Sequence, residues 1–177
     1  RPCVVCIAGT GSVVLAYDAQ RTRIKRVGGL GWLLGDEGSA VGVGRAALRH
    51  VLSEPSPLLD VILAATGVAT ADDLLRYVYT DDSRARIAAL AQVVTRAARD
   101  GHAVARRIVQ LEAQAMAACI DRAAPPIPAA CRLGGALFGD AGYLAHVLHH
   151  IQTPFIDIQV VHDICGAAAQ SKAIRPW

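Results

Sequence analysis

Aromatic side chains are scarce: 5% of the chain, against 53% hydrophobic residues in all. The single Met adds little bulk. The core must therefore be built from Ala, Val, Leu and Gly, a composition that suits helices packed closely on a sheet. No apolar stretch reaches the roughly 18 residues a membrane helix needs. Charge of one sign is missing as well: 18 Lys and Arg against 15 Asp and Glu leave +3, too mild to argue for nucleic acid. The one dense basic run, Arg21, Arg23, Lys25 and Arg26, alternates with Thr22 and Ile24 as the solvated face of a strand would. There is no G-x-x-x-x-G-K-[ST] phosphate loop and no G-x-S-x-G nucleophile elbow. The start, Arg1-Pro2-Cys3-Val4-Val5, runs straight into a strand and lacks the segments of a signal peptide. It reads as a cut through a larger protein.

Five cysteines, an odd number in 177 residues, point to free buried thiols in a reducing compartment. Cys3 and Cys6 form a C-x-x-C, but residues three apart on a strand face opposite ways, so the pair is a poor metal or redox clamp. His146, His149 and His150 share one helix face, with His162 later. No Cys or carboxylate stands near in sequence to complete a zinc site, and no metal ligands are expected.

What is present is a meander. Val4 to Ala8 is short and β-branched, Gly9-Thr10-Gly11-Ser12 turns the chain, Val13 to Tyr17 returns, and Thr22 to Val27 follows another short turn. Such spacing predicts three antiparallel strands. Gly28 to Ser39 holds five glycines in twelve residues, a loop whose backbone must bend or approach something closely. Ala40 to Leu52 is helical, and Glu54-Pro55-Ser56-Pro57 ends it. From Leu58 to Ala123 the chain is mostly helical, with Thr70 and Ser83 as N-caps and a break at Asp100-Gly101. In the last of these helices Val104, Ile108, Leu111 and Ala115 form the apolar stripe, and Arg106, Arg107 and Glu112 the charged face. Beyond the Pro125 to Pro128 linker come a strand (Ala129 to Leu133) ending in Gly134-Gly135, a helix (Tyr143 to Ile151), an alternating strand (Phe155 to Val161) and a small-residue helix (Ile164 to Ala173).

Three segments bear chemistry. The Gly9 to Ser12 turn offers backbone N–H groups and two hydroxyls to an oxyanion, although an ordinary β-turn has the same composition. Asp36 and Glu37, between Gly35 and Gly38, can accept hydrogen bonds from sugar hydroxyls, or they can cap the helix that follows. Gly134-Gly135 at a strand's C-terminal end is where open α/β sheets hold nucleotides, and equally a plain turn.

In this order the segments resemble the C-terminal part of the N-acetylglucosamine kinase and BadF/BadG/BcrA/BcrD ATPase family, of the actin, hexokinase and Hsp70-like superfold. Gly-Asp-Glu-Gly-Ser after Gly-Gly-x-Gly is the most specific match, and Gly166-Ala167-Ala168 resembles the closing helix. The resemblance implies an α/β fold: a ribonuclease-H-like mixed sheet, antiparallel meander plus parallel strands, flanked by helices, with a helical insertion over about 58–123. It implies ATP and Mg²⁺ as cofactors, with Thr10, Ala98, Gly134 and Gly135 at ATP. Ser12, Gly29, Leu30, Gly31 and Asp36 would be at the sugar, an amino sugar such as N-acetylglucosamine. The reaction would be in-line transfer of the γ-phosphoryl group to a hydroxyl. Leu30 stands where many of these kinases have Trp, and Val13 where sugar-specific members place a polar residue, so the sugar stays open. The family's catalytic Asp and its first phosphate loop belong to an N-terminal lobe of about 100 residues. Neither motif occurs here, so the isolated chain is expected to be inactive. A BadF/BcrA-type ATPase activator and a non-catalytic sugar-sensing lobe remain alternatives. The expected setting is cytoplasmic, with neither nucleic acid nor membrane as partner and a homodimer left open.

Overall fold

The chain folds as shown by a computed structural model, which describes residues 1–161. The expected Ile164 to Ala173 helix, with Gly166-Ala167-Ala168, and His162 lie outside the described residues. Strands β1 (Cys3–Ala8), β2 (Ser12–Tyr17) and β3 (Arg23–Gly28) form the meander. Helices α1 (Ala40–Ser53), α2 (Leu58–Thr66), α3 (Ala71–Val78), α4 (Ser83–Arg99) and α5 (Ala103–Ala123) follow. Then come β4 (Ala130–Gly134), a short 3-10 turn (Ala136–Gly139), α6 (Ala141–His150) and β5 (Asp157–Val161). The sheet order is β3-β2-β1-β4-β5. Pairing is antiparallel within the meander and parallel for β1 with β4 and β4 with β5, so the sheet is mixed, as expected.

Alternation decides the faces. Val4, Cys6 and Ala8 of β1, Val14 and Ala16 of β2, and Cys131 and Leu133 of β4 are buried. Against them lie small residues and Met116 of α5, with the Cys6 thiol 3.2 Å from the Met116 sulfur. Here the scarcity of aromatics shows its consequence: small side chains let the helix lie close on the sheet. The opposite face, Val5, Ile7, Val13, Leu15 and Tyr17, is only half-buried.

Glycine sets the contact between α1 and α4. A methyl group on Gly44 would overlap the backbone carbonyl of Ile87, so the two helices cross at backbone distance. Thr70 caps α3 as expected, accepting from the Asp73 N–H at 3.1 Å.

Three local expectations are corrected. Ser83 is the first residue of α4 and not its cap, which is Asp82; its hydroxyl instead donates back to the Thr80 carbonyl. On α5 the buried face is Ala105, Ile108, Val109, Ala113, Met116, Ala117 and Ile120, while Leu111 is 45% exposed. The apolar stripe is thus rotated from the one the sequence suggests. And β3 does not bury one face: Arg23 to Arg26 are all exposed on this edge strand. Cys3, Cys6, Cys119 and Cys131 are free and buried, and burial pushes the Cys131 thiol up to about 12. No group of three or more His, Cys, Asp or Glu gathers among the described residues.

Candidate functional site

The glycine-rich loop folds back onto the first turn of the meander. The Ser12 N–H donates to Asp36 Oδ1 at 3.0 Å, and the Ser12 hydroxyl donates to the Glu37 carbonyl at 2.7 Å. Gly11 is required by this contact, since a Cβ there would lie 2.6 Å from Asp36 Oδ2. Asp36 itself takes a left-handed conformation, φ 64°, which is strained for a residue with a side chain. It is 3% exposed, and its Oδ2 has no hydrogen-bond partner among the described residues. A buried carboxylate oxygen left unpaired costs stability unless something fills its place. The oxygen therefore keeps an unused capacity to accept a hydrogen bond.

Asp36 is not the cap of α1. Ser39 is, accepting from the Gly42 N–H at 3.1 Å. The next free donors of the helix, the N–H groups of Ala40 and Val41, go to the carbonyls of Gly9 and Thr10 at 2.9 and 3.1 Å. The start of α1 is thereby fastened to the turn.

The turn is a partition between two clefts. One, of about 750 Å³, is lined by Gly9, Thr10 and Ala40, by Ala88, Gln92, Thr95, Arg96 and Arg99 of α4, and by Leu137 and Asp140. The other, of about 900 Å³, is lined by Gly11, Ser12, Gly29, Gly31, Trp32 and Asp36, with Ile7, Val13, Leu15 and Tyr17 as its floor. Thr10 thus faces the first cleft, and Ser12, Gly29, Gly31 and Asp36 the second. Leu30, 64% exposed, lies outside the lining. Gly134 and Gly135, at the end of β4, are not in the lining of the first cleft, although Ala136 beside them is; a Cβ on Gly135 would overlap the Ala8 carbonyl. Ala98 is not brought to the site. Its side chain packs on the core, and its carbonyl accepts from Arg106 Nε at 3.1 Å. The face of α4 that meets the cleft is the one bearing Gln92, Thr95, Arg96 and Arg99.

The basic run also has a place other than open solvent. Leu15 pairs with Arg26 and Tyr17 with Arg23 across the strands, so these side chains share the cleft face. Arg21, Arg23, Arg26 and Arg84 line the second cleft, with Asp36 as its sole carboxylate among the described residues.

Sequence reasoning missed three contributors. Asp140 caps α6, accepting from the Tyr143 N–H at 2.9 Å, and its other oxygen pairs with Arg99 at 2.5 Å across the first cleft. An Asp ahead of a helical run was a readable cap signal. The other two are Glu112, which accepts from the Gly38 N–H at 2.8 Å, and Tyr143, whose hydroxyl donates to the Gly38 carbonyl at 2.5 Å. Glu112 therefore does not belong to the solvated face of α5.

Burial pushes the Glu112 carboxyl above the ordinary 4.5, with Glu37 adding to the rise; the Gly38 hydrogen bond and Arg45 oppose it. A carboxyl whose pKa is raised by folding binds its proton more tightly in the folded state, so its contribution to stability falls as pH rises through the window above 4.5. Glu112→Gln keeps an acceptor oxygen without the charge. The unfolding free energy of the native chain minus that of this variant is expected to fall with pH across that window, then level off. Urea unfolding at stepped pH measures it, and a flat difference would contradict the assignment.

A mixed sheet of this order, antiparallel in the meander and parallel beyond it, is the actin–hexokinase-like fold. A protein of *Porphyromonas gingivalis* provisionally named an N-acetylglucosamine kinase superposes with a TM-score of 0.77 at 21% identity, over 98% of this chain and 60% of that one. A *Chromobacterium violaceum* protein provisionally given the same name does so with a TM-score of 0.67 at 22% identity, over 89% and 55%. A ROK family glucokinase from *Streptomyces griseus*, solved with glucose and AMPPNP, gives 0.56 at 14% identity, over 90% and 55%. Residues 1–167 match the model of the BadF/BadG/BcrA/BcrD ATPase family, and the chain belongs to that family. In sequence, it is 32% identical over 117 residues to an N-acetylmuramic acid/N-acetylglucosamine kinase of *Clostridium acetobutylicum*, covering 62% of this chain and 38% of that protein. The chain thus spans well under two thirds of the relatives it matches. No described helix is long and apolar enough to cross a membrane.

Proposed function

We propose that this chain is the phosphate- and sugar-holding lobe of an ATP-dependent amino-sugar kinase. The observation that carries the reading is Asp36: buried, held by one oxygen to Ser12, and with its second oxygen unpartnered at the partition between two clefts. In this reading ATP occupies the cleft beside α4, its phosphates over Thr10 and the turn, and the sugar occupies the other. Asp36 Oδ2 accepts from a sugar hydroxyl. A sugar hydroxyl oxygen attacks the γ-phosphorus, the bond to the β-phosphate oxygen breaks, and ADP leaves. The hydroxyl proton goes to a base supplied by a lobe outside this chain. Mg²⁺ brought in with ATP would supply positive charge against that of the transferring group, while Thr10 and the turn hold the phosphates. An ATP-consuming role with free thiols fits the cytoplasm.

The four arginines favour an acidic substrate within this class, a sugar bearing a carboxylate. N-acetylmuramic acid, for which the Clostridium relative is named together with N-acetylglucosamine, has that chemistry; N-acetylglucosamine is its neutral counterpart.

ADP release with ATP, Mg²⁺ and either sugar tests the proposal, using the chain alone and then a version extended upstream of Arg1. Sugar-dependent release from the extended version alone is the expected result. A lower KM is expected for the acidic sugar, the advantage shrinking as salt is raised. Release with no sugar requirement would replace the kinase by an ATPase, and binding without release by a sensor.

A further inference from the structure

Gly38 is gripped at both ends. Its N–H is taken by Glu112 of α5 and its carbonyl by the Tyr143 hydroxyl of α6. It sits two residues after Asp36 and immediately before the Ser39 cap of α1. It has a left-handed φ of 67°, and a Cβ there would lie 2.6 Å from the Met116 Cβ, so the residue is pinned by packing as well as by hydrogen bonds. Burial holds the Tyr143 pKa well above its ordinary value, and the hydroxyl keeps its proton for donation.

Tyr143 is also tied to the lining of the cleft beside α4. Its backbone N–H is held by Asp140 Oδ1, while Asp140 Oδ2 holds Arg99 at 2.5 Å. Arg99 and Asp140 both line the cleft beside α4. A continuous set of hydrogen bonds therefore runs from Arg99 through Asp140 and Tyr143 to Gly38 and the loop that bears Asp36.

We propose that Tyr143 is a positioning residue that couples the two clefts: a nucleotide seated against Arg99 and Asp140 sets the first turn of α6, and the Tyr143 hydroxyl transmits that setting to Gly38 and so to Asp36. The proposal rests on the kinase reading above, which supplies the two ligands. Coupling of this kind is a ratio of affinities, and it is reciprocal. A nucleotide that tightens sugar binding must itself bind more tightly when sugar is present, by the same factor. A hydrogen-bond path in a structure is a reason to measure that ratio.

The test uses the full-length protein and a non-hydrolysable ATP analogue. The sugar Kd is measured with and without saturating analogue in the native protein, in Tyr143→Phe and in Asp140→Asn. Asn at 140 can still accept from the Tyr143 N–H but gives up the ion pair with Arg99. The native ratio is expected to fall in the roughly 5- to 150-fold range of ordinary coupling, and in both variants to drop toward 1 with both ligands still binding. A purely structural role for Tyr143 would lower the unfolding midpoint and leave the ratio alone. An unchanged ratio in the variants, or a native ratio of 1 while both ligands bind, overturns the coupling; if Tyr143→Phe fails to fold, Asp140→Asn decides. A native protein that binds neither ligand overturns the kinase reading itself, and the coupling with it.

Discussion

Asp36→Asn is expected to weaken sugar binding roughly 10- to 150-fold while nucleotide affinity stays within about twofold, from the about 1.5–3 kcal/mol of a hydrogen bond to a charged group. The substitution is selective by construction. Asn keeps the oxygen that accepts from the Ser12 N–H at 3.0 Å, so the loop stays docked on the turn. What changes is the second position, where an unpartnered acceptor, Oδ2, becomes an NH₂ donor facing a hydroxyl. Calorimetric titration with sugar and, separately, with a non-hydrolysable ATP analogue reads both sides. Equal sugar affinity in native and variant proteins would remove Asp36 from the site. A fall in both affinities would say that the loop had come away from the turn.

The largest expected effect on stability comes from a single methyl group. Gly44→Ala would drive a Cβ into the Ile87 carbonyl, and because the obstacle is backbone, no rotamer change relieves it. The helices must separate, loosening the packing of α1, in which Val41, Val43 and Ala47 are fully buried. Overpacking of this sort costs about 1–3 kcal/mol and occasionally more. Here about 3 kcal/mol is expected, set against total stabilities of about 5–15 kcal/mol. Urea unfolding measures it. Gly9→Ala is the control, since a Cβ there meets nothing within 4 Å, and it should leave the midpoint almost unmoved.

How much of this was legible in the sequence follows from the range of each interaction. The meander was readable because short β-branched runs separated by glycine turns encode it locally, and β1, β2 and the loop around Asp36 fall where the pattern puts them. The Thr70 cap was readable for the same reason. The clamp on Gly38 was not: Glu112 lies 74 residues away and Tyr143 105, and neither leaves a local mark. Glu112 was placed on the solvated side because Leu111 looked like core. On a helix one residue is about 100° of rotation, so mistaking the 45% exposed Leu111 for core reverses the reading of its neighbour. On β3 the basic residues are exposed, as read, and Ile24 is 52% exposed as well, because alternation shows which residues share a face but not whether anything covers it. Ala98 was placed by resemblance alone, and on α4 the register of the helix turns Thr95 and Arg99 to the cleft instead.

The contact between Gly11 and Asp36 restricts how such a protein can change its diet. With 2.6 Å between a would-be Cβ at position 11 and the carboxylate, no side chain fits at position 11 while the acid remains. New sugar preferences must then arise at the margin of the cleft, where Leu30 is 64% exposed and the arginines have no carboxylate within ion-pair reach among the described residues. On the proposed kinase reading, the fixed part of recognition is the hydroxyl that meets Asp36, and the adjustable part is whatever the sugar carries toward that margin.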